Sequence, residues 1–432
     1  MRWLDIDIRC GDEGASVRPF LERAQARRDT LAAIQRESGL DSPQVLSCLE
    51  EIGQLLFRAA HAADASAFAP DRTDGVTRAP APLGSAAGRD VTGYHLVVDD
   101  KVLDLPWTAL HNGIHFLLEQ SPICVSTRSS RPVAGAEAQH QWMRRWEEDA
   151  FTETALGPAS LGELIRRYRP EACAEPTILF LDGQGGAADS VHGLRERDMV
   201  HGALEARGDG QRLARLAAPS GALTPAALAT TAHGYQAFHF SGATAVAPVA
   251  PGQAAGVLDL DILSPPAWSV REDPTEFEVV GVDPVTSLLD QINEKADAGR
   301  LAPWSRPVVS QAVAEAAPCW QLEDGPVRPE DLAHKHAAPP LVFSNSYLSL
   351  QSLGARFLAA GTSVFVGPQL ALAPERASEF AAEFYHALAL GTPAAESLRQ
   401  AALACRRRWG AHHPAWLGYG IMGSGTLALQ YL

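Results

Sequence analysis

Five short apolar runs, separated by segments with helical periodicity, constrain the fold of this chain more than any other feature. They are YHLVVDD (94–100), TILFLD (177–182), AFHFSG (237–242), PLVFSNS (340–346) and TSVFVGP (362–368). Strands that are apolar on both faces are typical of parallel sheets covered by helices on both sides. The helices predicted between them include 193–206, 352–360, 375–389 and 394–408. We therefore predict an α/β fold, a three-layer α/β/α sandwich with a mainly parallel central sheet.

The first 60 residues predict a separate N-terminal strand and helical hairpin. One helix covers 17–34, and a second begins at Ser42 with Pro43 in its first turn, followed by an apolar seam at three- and four-residue spacing. Residues 61–90 are rich in Ala, Pro and Gly without periodicity, which is typical of a linker. The remaining residues, 91–432, then form the main domain. Within it, the Pro-rich and acidic stretch at 247–335 is predicted to be an irregular insertion between two core strands.

Composition limits the partners of the chain. With 51 acidic and 36 basic residues the formal charge is -15, which argues against nucleic acid and anionic membranes as partners. The start, MRWLDIDIRC, has acids where a signal peptide needs an apolar core. The uncharged run Phe357–Pro374 is interrupted by Gly361, Gly367 and Pro368, which predicts a helix end and a strand instead of a membrane span. Six cysteines without close pairing indicate neither a disulfide framework nor a zinc site, and a cytoplasmic location is expected.

Motifs for cofactors are weak. Residues 183–188, GQGGAA, follow a predicted strand and match a loose dinucleotide-binding pattern, so a nucleotide-binding module is one alternative. No helix of small residues follows, and no acidic residue stands at the expected distance, which favours a plain glycine loop. Two histidine clusters, 334–336 and 412–413, lack carboxylate or cysteine neighbours at ligand spacing. We therefore predict neither a cofactor nor a metal.

Two predicted strands end in small polar residues, FHFSGAT (238–244) and LVFSNSYLS (341–349). The carboxyl ends of neighbouring parallel strands meet at one edge of a sheet, where open α/β sheets place their binding sites. We call this edge the rim. The residues predicted to line it are Ser241, Gly242, Thr244, Ser344 and Asn345.

These two segments resemble the caspase-like CHAT peptidase family, whose histidine strand reads approximately HFSGHG and whose cysteine strand reads approximately LVFLNAC. The similarity runs from about 90 to 430 and includes the LPWTAL turn and the closing helix, strand and helix pair. It implies a caspase-like fold and places the general-base histidine at Ala243 and the nucleophilic cysteine at Tyr347. Both catalytic groups are therefore missing. Ala243 is either natural or engineered, but an engineered change there leaves Tyr347 unexplained.

The two replacements remove the chemistry of the family. A thiolate forms readily only when a neighbouring imidazole takes its proton, and alanine takes none. A tyrosine, with a reference pKa of about 10, is almost entirely un-ionised at neutral pH. Three residues remain as fallback candidates. His239 lies on the same strand as Ala243 and is predicted to be buried with a backbone partner, whereas Cys319 and Ser346 are alternative nucleophiles.

The sequence thus predicts a catalytically inactive pseudo-peptidase that binds a protein partner. The resemblance implies that this partner is an active peptidase, its substrate or a sensor in a bacterial defence or cell-death system. It also implies assembly as a homodimer or as a heterodimer with an intact relative. The acidic residues around 272–278 are then placed to steer a basic partner. The alternatives are an active cysteine or serine endopeptidase with a displaced catalytic residue, and the nucleotide-binding module.

Overall fold

A computed structural model describes residues 2–9, 16–65, 92–127, 177–183, 191–205, 214–218, 228, 235–242, 244–248, 258–259, 268–272, 275–279, 316–322, 325–333 and 338–427. Strand β1 (Arg2–Ile8) opens the chain and is followed by the helices α1 (Arg18–Ser38) and α2 (Pro43–Ala63). The Ser42 hydroxyl accepts a hydrogen bond from the Gln44 amide, so it caps α2 where the sequence predicts the helix to begin. Most of the predicted linker, 66–90, lies outside the described residues.

The main part of the chain alternates strands and helices. The strands are β2 (Thr92–Val98), β3 (Ile123–Thr127), β4 (Thr177–Asp182), β5 (Arg215–Ala217), β6 (Ala237–Ser241), β7 (Thr244–Pro248), β8 (Leu258–Asp259), β9 (Trp268–Glu272), β10 (Thr275–Val279), β11 (Ala316–Leu322), β12 (Gly325–Val327), β13 (Leu341–Asn345), β14 (Val364–Pro368) and β15 (Tyr419–Gly423). The helices are α3 (Val191–Glu205), α4 (Pro329–Ala333), α5 (Ser349–Ala359), α6 (Pro374–Ala389) and α7 (Ala394–Trp409). All five strands predicted from apolar runs are present, each within a few residues of its predicted bounds.

Nine strands form one sheet in the order β1-β2-β3-β15-β14-β13-β6-β4-β5. Its pairings are parallel except between β14 and β15. That antiparallel pair divides the sheet into two halves whose strands run in opposite directions, with β1 to β3 and β15 in one half. The prediction of a mainly parallel α/β fold is confirmed. The N-terminal strand β1 belongs to the same sheet as the rest.

Side chains of β6 alternate between two covered faces. Phe240 points to one face, where its ring stacks on Trp320 of β11 at 4.7 Å, and Trp320 in turn contacts Phe357 of α5. His239 points to the opposite face, where it contacts Tyr385 of α6. All four aromatic side chains and the histidine are buried, so the sheet has helices and core on both sides.

The stretch between β6 and β13 leaves the central sheet and returns to it. Strands β7, β11 and β12 form a small sheet, and β8, β9 and β10 form another. The predicted insertion does lie between the core strands β6 and β13, but its described residues are more regular than expected. Strands β8 to β10 form at 258–279, and residues 316–333 form two strands and a short helix. The sequence pattern misses these strands because Pro318 and Pro326 interrupt them. Among the described residues, the structure contains no helix long and apolar enough to cross a membrane.

Candidate functional site at the rim of the sheet

Parallel pairing brings the carboxyl ends of the central strands together at the rim. Asp182, Ser241 and Asn345 stand side by side in register at the ends of β4, β6 and β13. Because β15 runs antiparallel to β14, its first residue, Tyr419, is paired with Pro368 at the end of β14 and so lies at the same edge. Four strands therefore contribute side chains to one place, as the two polar strand ends predict.

Glu196 of α3 is the centre of a buried hydrogen-bond network directly beneath the rim. Its carboxylate accepts hydrogen bonds from His239 Nε2 at 2.8 Å, from Ser241 Oγ at 2.5 Å and from the Asn345 side-chain amide. Tyr419 donates its hydroxyl to the Asn345 side-chain oxygen. The carboxylate is only 4% exposed, yet three donors converge on it, which is how a protein tolerates a buried acid.

His239 is fully buried in this network. Its ring lies between the rings of Phe180 and Phe343, at centroid distances of 4.9 and 5.2 Å, because these residues face it on the neighbouring strands. Its Nδ1 faces the Tyr385 hydroxyl at 3.3 Å. A tautomer with the proton on Nε2 satisfies both contacts, since the hydroxyl then donates to Nδ1. The predicted burial of His239 is confirmed, but its predicted backbone partner is wrong, because both ring nitrogens bond to side chains.

Two tyrosines at the edge of the network are held un-ionised. Burial raises the pKa of Tyr385 and of Tyr419 well above the usual value, and the nearby charge of Glu196 raises both further. Each phenol therefore acts as a fixed hydroxyl donor over the whole physiological pH range.

The position at which the family resemblance places the nucleophile holds a buried phenol. Tyr347 is the second residue after β13 and is 7% exposed. The next residue, Leu348, has a left-handed backbone with φ of 47° that turns the chain into α5. Ala243, the histidine position, lies outside the described residues. Its neighbours Gly242 and Thr244 are both buried. The described part of the rim is thus packed with side chains.

The serines of the rim are bonded to one another and to the strand that covers them. Ser344 Oγ lies 2.9 Å from Ser346 Oγ and accepts a hydrogen bond from the Trp320 indole nitrogen at 3.0 Å. Trp320 stands opposite Thr244 in the pairing of β11 with β7, which holds it over the rim. Cys319 precedes Trp320 on β11 and is fully buried. Because strand side chains alternate, the Cys319 thiol and the Trp320 indole point to opposite faces of β11.

The LPWTAL turn fixes the other side of the rim. The Thr108 hydroxyl donates to the Tyr419 carbonyl at 3.1 Å. Gln369, which follows β14, donates its side-chain amide to the Thr108 hydroxyl and, at 2.8 Å, to the Leu417 carbonyl. This turn therefore positions β15, and with it the hydroxyl that reaches Asn345.

The other sequence candidates are described only in part. Gly183 donates its amide to the Ser241 carbonyl at 2.8 Å, and the rest of the glycine loop, 184–188, lies outside the described residues. His413 accepts from the Ala415 amide through Nδ1 and pairs with Asp41 through Nε2, whereas 334–336 is not described. Within the described ranges, no three His, Cys, Asp or Glu side chains are grouped to hold a metal ion.

Sequence reasoning missed Glu196, the residue that organises the site. It lies in the run Arg195-Glu196-Arg197-Asp198, which by charge alone indicates an exposed helix face. The structure buries Glu196 and leaves the other three partly or fully exposed. The signal available was the position of a charged helix after β4, because a helix that connects parallel strands packs against a face of their sheet.

Residues 305–424 match the model of the CHAT domain family. This stretch of a mainly parallel α/β fold is therefore similar to a CHAT domain. The sequence resemblance is thereby confirmed, although the matched stretch begins later than the expected start near residue 90. It includes Tyr347 but not Ala243. No curated protein matches the chain.

Solved structures similar to this chain are cysteine proteinases and a separase complex. Gingipain R (RgpB), an Arg-specific cysteine proteinase, is 10% identical, with a TM-score of 0.39 covering 100% of this chain and 78% of that one. A complex of Porphyromonas gingivalis RgpB pro- and mature domains is also 10% identical, with a TM-score of 0.40 and coverage of 100% and 80%. The Saccharomyces cerevisiae separase–securin complex is 10% identical, with a TM-score of 0.35 and coverage of 94% and 22%. Likenesses of this degree say nothing of activity or substrate.

Proposed function

We propose that this protein is a catalytically inactive, caspase-like CHAT pseudo-peptidase that acts by binding a protein partner. The observation that supports this proposal is that buried side chains occupy the described part of the rim. Tyr347 stands at the nucleophile position and is buried, and the histidine next to the rim, His239, has both ring nitrogens engaged in the core. Substrate hydrolysis needs an accessible nucleophile beside a base, and the described rim offers neither.

The alternative of a displaced catalytic residue has less support. Ser346 is 1% exposed and its hydroxyl bonds to Ser344, not to an imidazole. Cys319 is fully buried on the strand that covers the rim. A nucleotide-binding role for residues 183–188 has the weakest basis, because the first amide of that loop already donates to Ser241.

A groove on the N-terminal hairpin supports a binding role. It lies between α1 and α2, has a volume of about 460 Å³ and is lined by Arg23, Arg27, Glu51, Leu55 and Arg58, among others. Arg27 pairs with Glu51 at 2.7 Å. Neither Arg23 nor Arg58 has an ion-pair partner among the described residues. Two uncommitted guanidinium groups suit an acidic segment of a partner, which differs from the basic partner that the acidic residues around 272–278 indicate.

The resemblance to CHAT proteins suggests the class of partner. We propose that the partner is an active peptidase, its substrate or a sensor in a bacterial defence or cell-death system, and that binding takes place in the cytoplasm. We also propose that the protein forms a homodimer or a heterodimer with an intact relative. Retention of the fold without the dyad is consistent with association as the remaining use of the scaffold.

Cleavage of a diverse peptide library, read by mass spectrometry, tests the loss of activity. We expect no cleavage by the natural protein. The Ala243→His plus Tyr347→Cys double variant tests whether the rim keeps the geometry of the family, and Ser346→Ala and Cys319→Ala are the matched controls. Specific cutting by the natural protein that disappears in either control would overturn the proposal and identify the displaced nucleophile.

A further inference from the structure

A second polar cluster lies on the other half of the sheet, away from the rim. His95 of β2 has its Nδ1 at 2.8 Å from Asp5 Oδ1 on β1 and its Nε2 at 2.7 Å from Ser126 Oγ on β3. Asp5 stands directly opposite His95, and Ser126 lies two residues beyond Cys124, which is the partner of His95 on β3. Residues that are paired across neighbouring strands, and residues two apart along one strand, lie on the same face of a sheet. The three side chains therefore meet on one face.

The bonding order in this cluster is that of a nucleophilic triad. Asp5 accepts the Nδ1 proton of His95, which leaves the Nε2 lone pair directed at the Ser126 hydroxyl. The hydrogen bond from His95 lowers the pKa of Asp5, although partial burial works against this. An ionised carboxylate that holds the imidazole in this tautomer is the arrangement that lets serine lose its proton, and it is recognised by geometry on unrelated folds.

The cluster is open to solvent. The side chain of His95 is 28% exposed and that of Asp5 is 63% exposed, whereas His239 at the rim is fully buried. Trp3 marks one boundary, because its ring lies over Gly93, where an added Cβ would approach within 2.7 Å. Ser126 is half-buried beside this exposed imidazole, whereas Ser344 and Ser346 at the rim are buried.

We propose that Asp5, His95 and Ser126 form a hydrolytic site for small, activated carboxylic esters. Ser126 Oγ bonds to the ester carbonyl carbon while its proton passes to His95 Nε2. The bond to the leaving alcohol then breaks, and that alcohol takes the proton from His95. A water molecule then gives a proton to His95 and attacks the acyl-serine. The bond between the acyl group and Ser126 breaks, the carboxylic acid leaves, and His95 returns the proton to Ser126. The site is independent of the binding role proposed for the rim and the hairpin.

The test uses the full chain and two probes, a fluorophosphonate that labels activated serines with loss of fluoride, and p-nitrophenyl acetate. We expect labelling on the peptide that contains Ser126 and its absence in Ser126→Ala. His95→Gln should slow labelling on the order of 100-fold, the contribution typical of a general base, and Asp5→Asn should slow it less. Ser47→Ala, which removes an exposed serine of α2, should label like the natural protein.

Three results would overturn the proposal. They are the absence of label on Ser126, labelling of Ser126 no faster than in urea-unfolded protein, and an unchanged rate in His95→Gln with its native circular dichroism retained. Label on Ser346 in place of Ser126 would overturn it as well and would support the displaced nucleophile at the rim. Each variant is compared with the natural protein at equal folded concentration, so a loss of folding is not read as a loss of chemistry.

Discussion

Each half of the sheet brings together a serine, a histidine and a carboxylate, and the two clusters differ in which residue is central. Beneath the rim, Glu196 is central and accepts from both Ser241 and His239. On the open half, His95 is central, between Asp5 and Ser126. A serine that donates to a carboxylate has committed its proton to a fixed hydrogen bond. A serine that faces an imidazole has a base beside it.

The two clusters also differ in how far their carboxylates are buried. The central carboxylate beneath the rim is 4% exposed and is satisfied by three donors, so the cluster ties α3 to β6 and β13. The open cluster leaves its acid 63% exposed. The comparison teaches that residue type alone does not separate a structural network from a reactive one. Bonding order and access to solvent do, and the following variants test this division.

Removal of the central carboxylate should have the largest effect. Glu196→Ala leaves the donors of Ser241, His239 and Asn345 without their acceptor in the core, so we expect a loss of about 3–5 kcal/mol in the free energy of unfolding. Asp5→Ala is the matched change on the open half and should cost less than about 1 kcal/mol, since water replaces the lost acceptor. Urea unfolding followed by circular dichroism measures both. Equal losses would contradict the division between the clusters.

Replacement of the two histidines should show a smaller difference of the same sign. His239→Phe keeps a ring between Phe180 and Phe343 but removes one donor to Glu196 and the acceptor of the Tyr385 hydroxyl, which should cost about 1–3 kcal/mol. His95→Phe should leave stability within about 1 kcal/mol and slow fluorophosphonate labelling of Ser126 on the order of 100-fold, as in His95→Gln. The pair of thermal unfolding curves is the measurement. A destabilised His95→Phe with unchanged labelling would assign a structural role to the open cluster.

Most of the central sheet can be predicted from the sequence, because buried parallel strands leave a strong apolar pattern. The strands β4, β6 and β13 show it over their full length. The strand β3, ICVST, is the counterexample, because small and polar residues occupy its second half and the apolar pattern does not single it out. Ser126 lies in that half. The polar second half of β3 thus weakens the apolar pattern of the strand and also supplies the serine of the open cluster.

The sites are less predictable than the fold, for a physical reason. Whether Glu196 or its neighbours in the charged run face the sheet depends on how α3 is rotated against β6, and packing sets that rotation. Similarly, Asp5, His95 and Ser126 meet only because β1, β2 and β3 are adjacent and in this register. The replacements that the family resemblance predicts at Ala243 and Tyr347 are different, because a motif position is read directly from the sequence.

Alkaline titration should separate the tyrosines of the buried network from the rest. The pKa of Tyr385 and Tyr419 is raised in the folded protein, so their stabilising contribution is complete below the unfolded value of about 10 and declines as the pH rises above it. We expect ultraviolet difference spectra of the folded protein to show these two phenols un-ionised until it unfolds. In Tyr385→Phe the stability should fall less steeply above pH 10 than in the natural protein. Ionisation of all seven tyrosines without unfolding would contradict the closed network.

Acid titration of the open cluster should give the smallest effect. The pKa of Asp5 is lowered in the folded protein, chiefly by the hydrogen bond from His95. Its contribution is therefore present above the unfolded value of about 3.9 and is lost as the pH falls through the lower folded value. The difference in unfolding free energy between the natural protein and Asp5→Asn should be below about 1 kcal/mol at pH 6 and should shrink toward about pH 2, because an exposed pair is screened by water. A difference in unfolding free energy that grows on acidification would show that the ionised Asp5 carboxylate destabilises the folded state. No carboxylate would then hold His95 in the orientation that the triad requires.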